Sequence, residues 1–82
     1  MTKLISVTPL DNYTLELGFS NGEKRLFDVK PYLGFGIFQE LNDKAYFKNV
    51  TTQFDSITWQ NGQDFSPDTL YLKSSPIPVS AL

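Results

Sequence analysis

Apolar and polar residues alternate most cleanly from Tyr13 onward. Tyr13, Leu15, Leu17 and Phe19 are separated by Thr14, Glu16 and Gly18, the period of a strand with one buried face. Upstream, Ile5 and Val7 alternate with Ser6 and Thr8 before Pro9-Leu10-Asp11-Asn12 turns the chain. The pattern resumes after Ser20-Asn21-Gly22, at Phe27 and Val29. Parity across that turn selects its type. A two-residue Asn-Gly loop would pair Ser20 with Glu23 and set Phe27 and Val29 opposite Glu16 and Thr14, on the wrong face. A three-residue loop with Gly22 in the left-handed conformation puts every apolar residue on one face, and is the predicted connection. Pro31 ends the strand, because proline cannot donate to the ladder.

Ile37 and Leu41, four apart, predict one or two helical turns. Asn42 or Asp43 can cap a second short helix over 44–48, with Phe47 inward. Residues 50–54 read as a strand. The parity of Phe54 disagrees with that of Ile57 and Trp59, so a turn or bulge is expected at Asp55-Ser56. Ile57-Thr58-Trp59 is the last predicted strand, closed by Asn61-Gly62. Ser66 is an N-cap candidate, with Pro67 at the first helical position and Asp68 in the first turn of a helix carrying Leu70 and Tyr71. These elements predict a small single α+β domain over 1–73. Its antiparallel sheet has about four to five strands, with two or three short helices beside it. Residues 74–82 change composition and read as an extended or disordered tail. Disorder is preferred there to a docked strand, in which Ile77 and Val79 would extend an exposed sheet edge.

Composition changes this picture in two ways. Seven Phe, four Tyr and one Trp in 82 residues offset the small size of the core, since each buried ring removes roughly 150–250 Å² from water. Cysteine and histidine are both absent, which excludes disulfides, thiolate chemistry and Cys/His metal sites. The net charge is −2 and the seven cations are scattered, with only Lys24-Arg25 adjacent. Direct nucleic-acid binding needs clustered cations and is not expected. The first ten residues lack the apolar run of a signal peptide, and no stretch reaches membrane-spanning length. A cytoplasmic chain without a membrane partner is the expectation.

Chemistry would have to run on carboxylates, lysines, tyrosines or hydroxyls. Asp64 and Asp68, with Asp55 nearby, are the candidates for a paired-carboxylate, magnesium or calcium site. The competing reading is structural: Asp68 favours a helix N-terminus, and Asp64 accepts backbone N–H bonds after Asn61-Gly62. The structural reading is the simpler, so no catalytic, cofactor or metal residue is assigned. Trp59 reads as core, with its polar N–H edge wet. Tyr32 and Phe35 sit on the glycine-flanked loop at Gly34 and Gly36. They are the candidate partner surface, with packing onto the sheet as the alternative.

Three motifs carry a resemblance. Tyr13-Thr14-Leu15-Glu16-Leu17-Gly18-Phe19-Ser20-Asn21-Gly22-Glu23 runs into Phe27-Asp28-Val29 and Pro31-Tyr32-Leu33. Phe38-Gln39-Glu40-Leu41 is followed by Phe47. Ile57-Thr58-Trp59-Gln60-Asn61-Gly62-Gln63-Asp64-Phe65-Ser66-Pro67 ends in Leu70-Tyr71. In this order and spacing, the chain from Ile5 to Leu72 resembles a bacterial family, domain of unknown function 2442. The resemblance implies a small α+β domain with an antiparallel sheet and no established catalytic residue. The family usually has proline where this chain has Gln60 and a small residue where it has Gln63. Those changes are expected to alter the turn slightly and leave the fold alone. Some relatives carry a helix-turn-helix segment, which is not expected in this chain. Relatives also tend to be encoded beside another small protein, an arrangement reminiscent of toxin–antitoxin pairs.

The expected function is therefore a non-enzymatic interaction or regulatory module, antitoxin-like in context. Its partner would be a protein, encoded by a neighbouring gene on the family's pattern, and self-association through a sheet edge is a further expectation. The rival expectations are a metal-dependent or carboxylate-based enzyme at Asp55, Asp64 and Asp68, and an accessory subunit of a DNA-binding regulator.

Overall fold

The alternation at 13–19 builds the central strand of the larger sheet. A computed structural model describes residues 2–77. Strands β1 (Leu4–Leu10), β2 (Thr14–Phe19), β3 (Lys24–Asp28) and β7 (Ser75–Pro76) form an antiparallel sheet in the order β1-β2-β3-β7. A second antiparallel sheet holds β4 (Thr51–Gln53), β5 (Ser56–Thr58) and β6 (Asp64–Phe65) in that order. Helices α1 (Lys44–Phe47) and α2 (Pro67–Leu72) and 3-10 turns at Asp11–Tyr13, Lys30–Tyr32 and Gly36–Asn42 join them. The class is α+β, with seven strands among the described residues divided between two sheets. Among the described residues, no helix is long and apolar enough to cross a membrane.

The β2–β3 register follows from the parity argument. Phe19 N–H donates to Glu23 O at 3.0 Å, which leaves Ser20-Asn21-Gly22 as the loop. Gly22 has φ 89°. Leu15 then stands opposite Phe27 and Leu17 opposite Arg25. Leu15, Leu17, Phe27 and Val29 are fully buried, each contributing about 1.5–3 kcal/mol in favour of folding.

Between Leu4 and Ser6 the register of β1 shifts. The irregularity turns Leu4 into the core and leaves Ile5 exposed, where alternation alone pairs Ile5 with Val7. The helical turns expected from the spacing of Ile37 and Leu41 form, with a tighter period. Their segment is 3-10, with about three residues per turn, so positions three apart share a face. Phe38 and Leu41 therefore face the core and Ile37 faces out.

Residues 50–54 divide at a tight turn. Gln53 pairs with Ser56, and Phe54 opens the loop with φ 57°. The strand predicted through Phe54 stops at Gln53, and β6, absent from the sequence reading, pairs with β5. The caps fall as expected. Asp43 accepts from Ala45 N–H and Tyr46 N–H, and Ser66 accepts from Thr69 N–H, each worth about 1 kcal/mol. Ser75–Pro76 pairs with Arg25 and Leu26 as an extended edge strand, and Ile77 N–H donates to Lys24 O at 2.8 Å. Residues 78–82, the remainder of the expected tail, lie outside the described residues.

Aromatic rings bridge the two sheets. Phe65 meets Phe27 at 4.9 Å, Tyr32 at 5.0 Å and Phe38 at 5.1 Å between centroids. Trp59 is buried beside Phe47 and Phe65. Its Nε1–H is not wet: it donates to Phe47 O at 2.9 Å, closing the end of α1 onto the small sheet.

Candidate functional site

Tyr32 and Phe35, the expected partner surface, part company in the structure. Pro31 sits in the first turn of the 3-10 segment and directs Tyr32 back over the sheet. There its ring stacks on Phe27 at 5.8 Å and meets Phe65 edge-on. Tyr32 is half-buried and belongs to the rim of the core. Phe35 is 68% exposed and Ile37 is 59% exposed. Gly36 between them takes φ 50°, a left-handed conformation that a side chain would strain.

Hydrogen bonds hold this loop at several points. Phe35 N–H donates to Tyr32 O at 3.1 Å and Phe38 N–H to Phe35 O at 2.9 Å. Asn42 Nδ2 donates to Leu33 O at 3.0 Å and Gln39 Nε2 to Gly34 O at 3.3 Å. Gln63 Nε2 donates to Ile37 O at 2.9 Å. The backbone is fixed while two apolar side chains point away from it.

Gln63 is the centre of a polar cluster that sequence reasoning missed. It is 1% exposed. Its Oε1 accepts from the Tyr46 hydroxyl at 2.6 Å, and its Nε2 also donates to Glu40 Oε1 at 2.9 Å. Asn61 Nδ2 donates to both oxygens of Glu40, at 2.9 and 2.8 Å, and Asn61 N–H donates to the Tyr46 hydroxyl. Hydrogen bonds from Asn61 and then Gln63 hold the Glu40 carboxyl below its ordinary pKa. Asn-Gly marks the turn in the sequence, but no local signal marks partners 15 to 26 residues away.

A second cluster ties the β2–β3 turn to α2 and to Ser74. Arg25 donates through Nε to Ser74 Oγ and through its second guanidinium nitrogen to Ser74 O, both at 2.7 Å. It pairs with Glu23 at 3.2 Å and lies 4.4 Å from the Tyr71 ring centroid. The Tyr71 hydroxyl donates to Glu23 Oε2 at 2.5 Å. That bond, followed by one from Asn21, holds Glu23 below its ordinary pKa; in return Glu23 raises that of Tyr71.

The acidic candidates take no part in the hydrogen bonds of either cluster, although Asp55 and Asp68 share a recess with Tyr71. Asp64 is exposed on β6 opposite Thr58, and Asp68 is exposed in the first turn of α2. Asp55 is half-buried in the β4–β5 turn. One recess has Asp55 and Asp64 on its wall, and another has Asp55 and Asp68. Among the described residues, no group of three acidic side chains stands close enough to hold a metal ion. The bonds expected from the Asn61-Gly62 turn to Asp64 are not made. The turn closes instead through Trp59 N–H to Gln63 O at 2.9 Å.

The family model described as a protein of unknown function (DUF2442) matches residues 4–76. The chain belongs to this family. The matched span of the DUF2442 domain runs from the first strand through β7, so it takes in the edge strand held by Arg25. No curated protein and no solved structure matches this chain.

Proposed function

We propose that this domain is a non-enzymatic interaction module. It acts in the cytoplasm as a regulatory, antitoxin-like partner of another protein, and it presents Phe35 and Ile37 to that protein. One observation carries the reading: two large apolar side chains stand exposed on a loop whose backbone is fixed by hydrogen bonds from Gln63, Asn42 and Gln39. Exposed apolar groups on a fixed backbone lose little entropy when they bind, which favours recognition. Apolar anchors of this kind dominate the energetics of protein interfaces.

A tagged pull-down from the native host at physiological salt tests it. The double variant Phe35→Ala/Ile37→Ala serves as control, with mass spectrometry as readout. A stoichiometric co-purifying protein that the variant loses supports the reading. A partner retained by the variant removes this surface, and a preparation holding only this chain removes the interaction reading. Both side chains are mostly exposed, so the variant should keep its stability within about 0.5 kcal/mol.

A further inference from the structure

A second recess lies on another part of the molecule, bordered by α2, the start of β1 and the end of β2. Leu4 and Phe19 form its apolar floor, Pro67 and Leu72 its apolar wall, and Asp55 and Asp68 its acidic rim. Its volume is about 520 Å³, within the range of about 300–1,000 Å³ that holds a bound side chain or small ligand. Leu72 is 76% exposed although it belongs to the same short helix as the fully buried Leu70. A neighbouring recess shares Asp55 and Pro67 and adds Asp64 and Phe54. Phe54 is 93% exposed, on a backbone with φ 57°. The two recesses thus meet at Asp55 and Pro67, the apolar one beside α2 and a more polar one that adds a third carboxylate.

Charge selects the occupant. Among the described residues, no lysine or arginine lines either recess, and Arg25, which stands over the ring of the lining residue Tyr71, is paired with Glu23. The ion pairs found among the described residues, Arg25–Glu23 and Lys30–Asp28, leave Asp55, Asp64 and Asp68 out. A carboxylate rim around an apolar floor attracts cations and repels anions, which disfavours nucleic acid and anionic lipid. The chain's own net charge of −2 also works against a second copy at this place. We infer that the recess between α2 and the β1–β2 corner docks a basic segment of a protein partner, a leucine-like side chain entering over Leu4 and Phe19 while lysine or arginine meets Asp55 and Asp68. The inference rests on the interaction reading but names a surface away from Phe35 and Ile37.

The test uses the purified full chain and a short dye-labelled peptide of alternating leucine and lysine. Anisotropy measures affinity and backbone amide shifts locate the contact. The expected result is binding that shifts the amides of Leu4, Phe19, Tyr71 and Leu72 and weakens with added salt. Leu72→Ala and Asp55→Asn/Asp68→Asn should each weaken it about tenfold or more, while Phe35→Ala/Ile37→Ala should leave it unchanged. Amide spectra of the variants confirm that they remain folded. A leucine–glutamate peptide that binds equally well overturns the inference, as do shifts confined to Phe35–Ile37. Equal affinity for Asp55→Asn/Asp68→Asn, or a dimer whose contacts cover Leu72, also overturns it. Absence of peptide binding rejects this recess and leaves the host pull-down with Phe35 and Ile37 to stand or fall separately.

Discussion

At Phe19–Glu23 and again at Trp59–Gln63 the chain turns by one device. Phe19 N–H donates to Glu23 O at 3.0 Å, and Trp59 N–H to Gln63 O at 2.9 Å. Gly22 and Gly62 follow asparagine in each, with φ 89° and 99°. In both, a tyrosine hydroxyl from a distant helix grips the residue after glycine: Tyr71 holds Glu23 at 2.5 Å, and Tyr46 holds Gln63 at 2.6 Å. The environments differ. Glu23 is partly open to solvent beside Arg25, where a carboxylate is tolerated. Gln63 is buried beside Glu40, where a second carboxylate would be repelled and left without water. The asparagines diverge in step. Asn21 bonds to Glu23 within its own turn, whereas Asn61 reaches across to Glu40. The same backbone turn therefore serves as a local device at one end and a long-range tie at the other, and burial decides which side chain follows glycine.

The largest effect should come from exchanging that residue. Gln63→Glu places a carboxylate against Glu40 and removes the donor to Ile37 O, so it should cost about 3 kcal/mol at neutral pH. Urea denaturation followed by circular dichroism measures it; a loss below about 1 kcal/mol would mean that the amide is not sealed from water. Next come the glycines. A Cβ at Gly22 or Gly62 meets nothing within 4 Å, so only the left-handed backbone resists it. Gly22→Ala and Gly62→Ala should each cost about 1–2 kcal/mol, and equally. Unequal costs would show that the two turns are not energetically alike.

The smallest effect is on titration. Glu23 and Glu40 both bind protons more weakly in the folded chain than their ordinary value of 4.5. Their stabilising contribution is therefore complete above about that pH and is lost as pH falls through the lower folded values. Tyr71→Phe removes the largest cause at Glu23, and Asn61→Ala the largest at Glu40. Carboxyl NMR titration should show each substitution raising only its own glutamate. If either moves both, the two turns are coupled.

What was legible in the sequence divides along the range of the interaction. The parity of Leu15, Leu17, Phe27 and Val29 fixes the loop at Ser20-Asn21-Gly22, because strand period is a local rule with one buried face. The caps at Asp43 and Ser66 are equally local. Ile5 departs from simple alternation because a bulge changes the period without changing residue type, and the turns expected at Ile37 and Leu41 form with the tighter 3-10 period. Phe35 was legible as a candidate from its glycine neighbours; Tyr32 was not separable from it until the ring's contacts with Phe27 and Phe65 were seen. The Gln63 cluster and the Arg25–Ser74 closure join residues far apart in sequence, and nothing near either partner announces the other. Gln63, a departure expected to affect only the turn, proved to be the buried amide that ties Glu40, Tyr46 and Ile37 together.

Trp59 is the sole indole of the chain, 2% exposed and bonded to Phe47 O. Its emission should be blue-shifted and hard to quench with iodide. As an optical probe it reports the opening of the core. Occupation of the outer faces at Phe35 or Leu72 should pass almost unseen at that wavelength, so a flat fluorescence trace during a titration with partner or metal says little about binding.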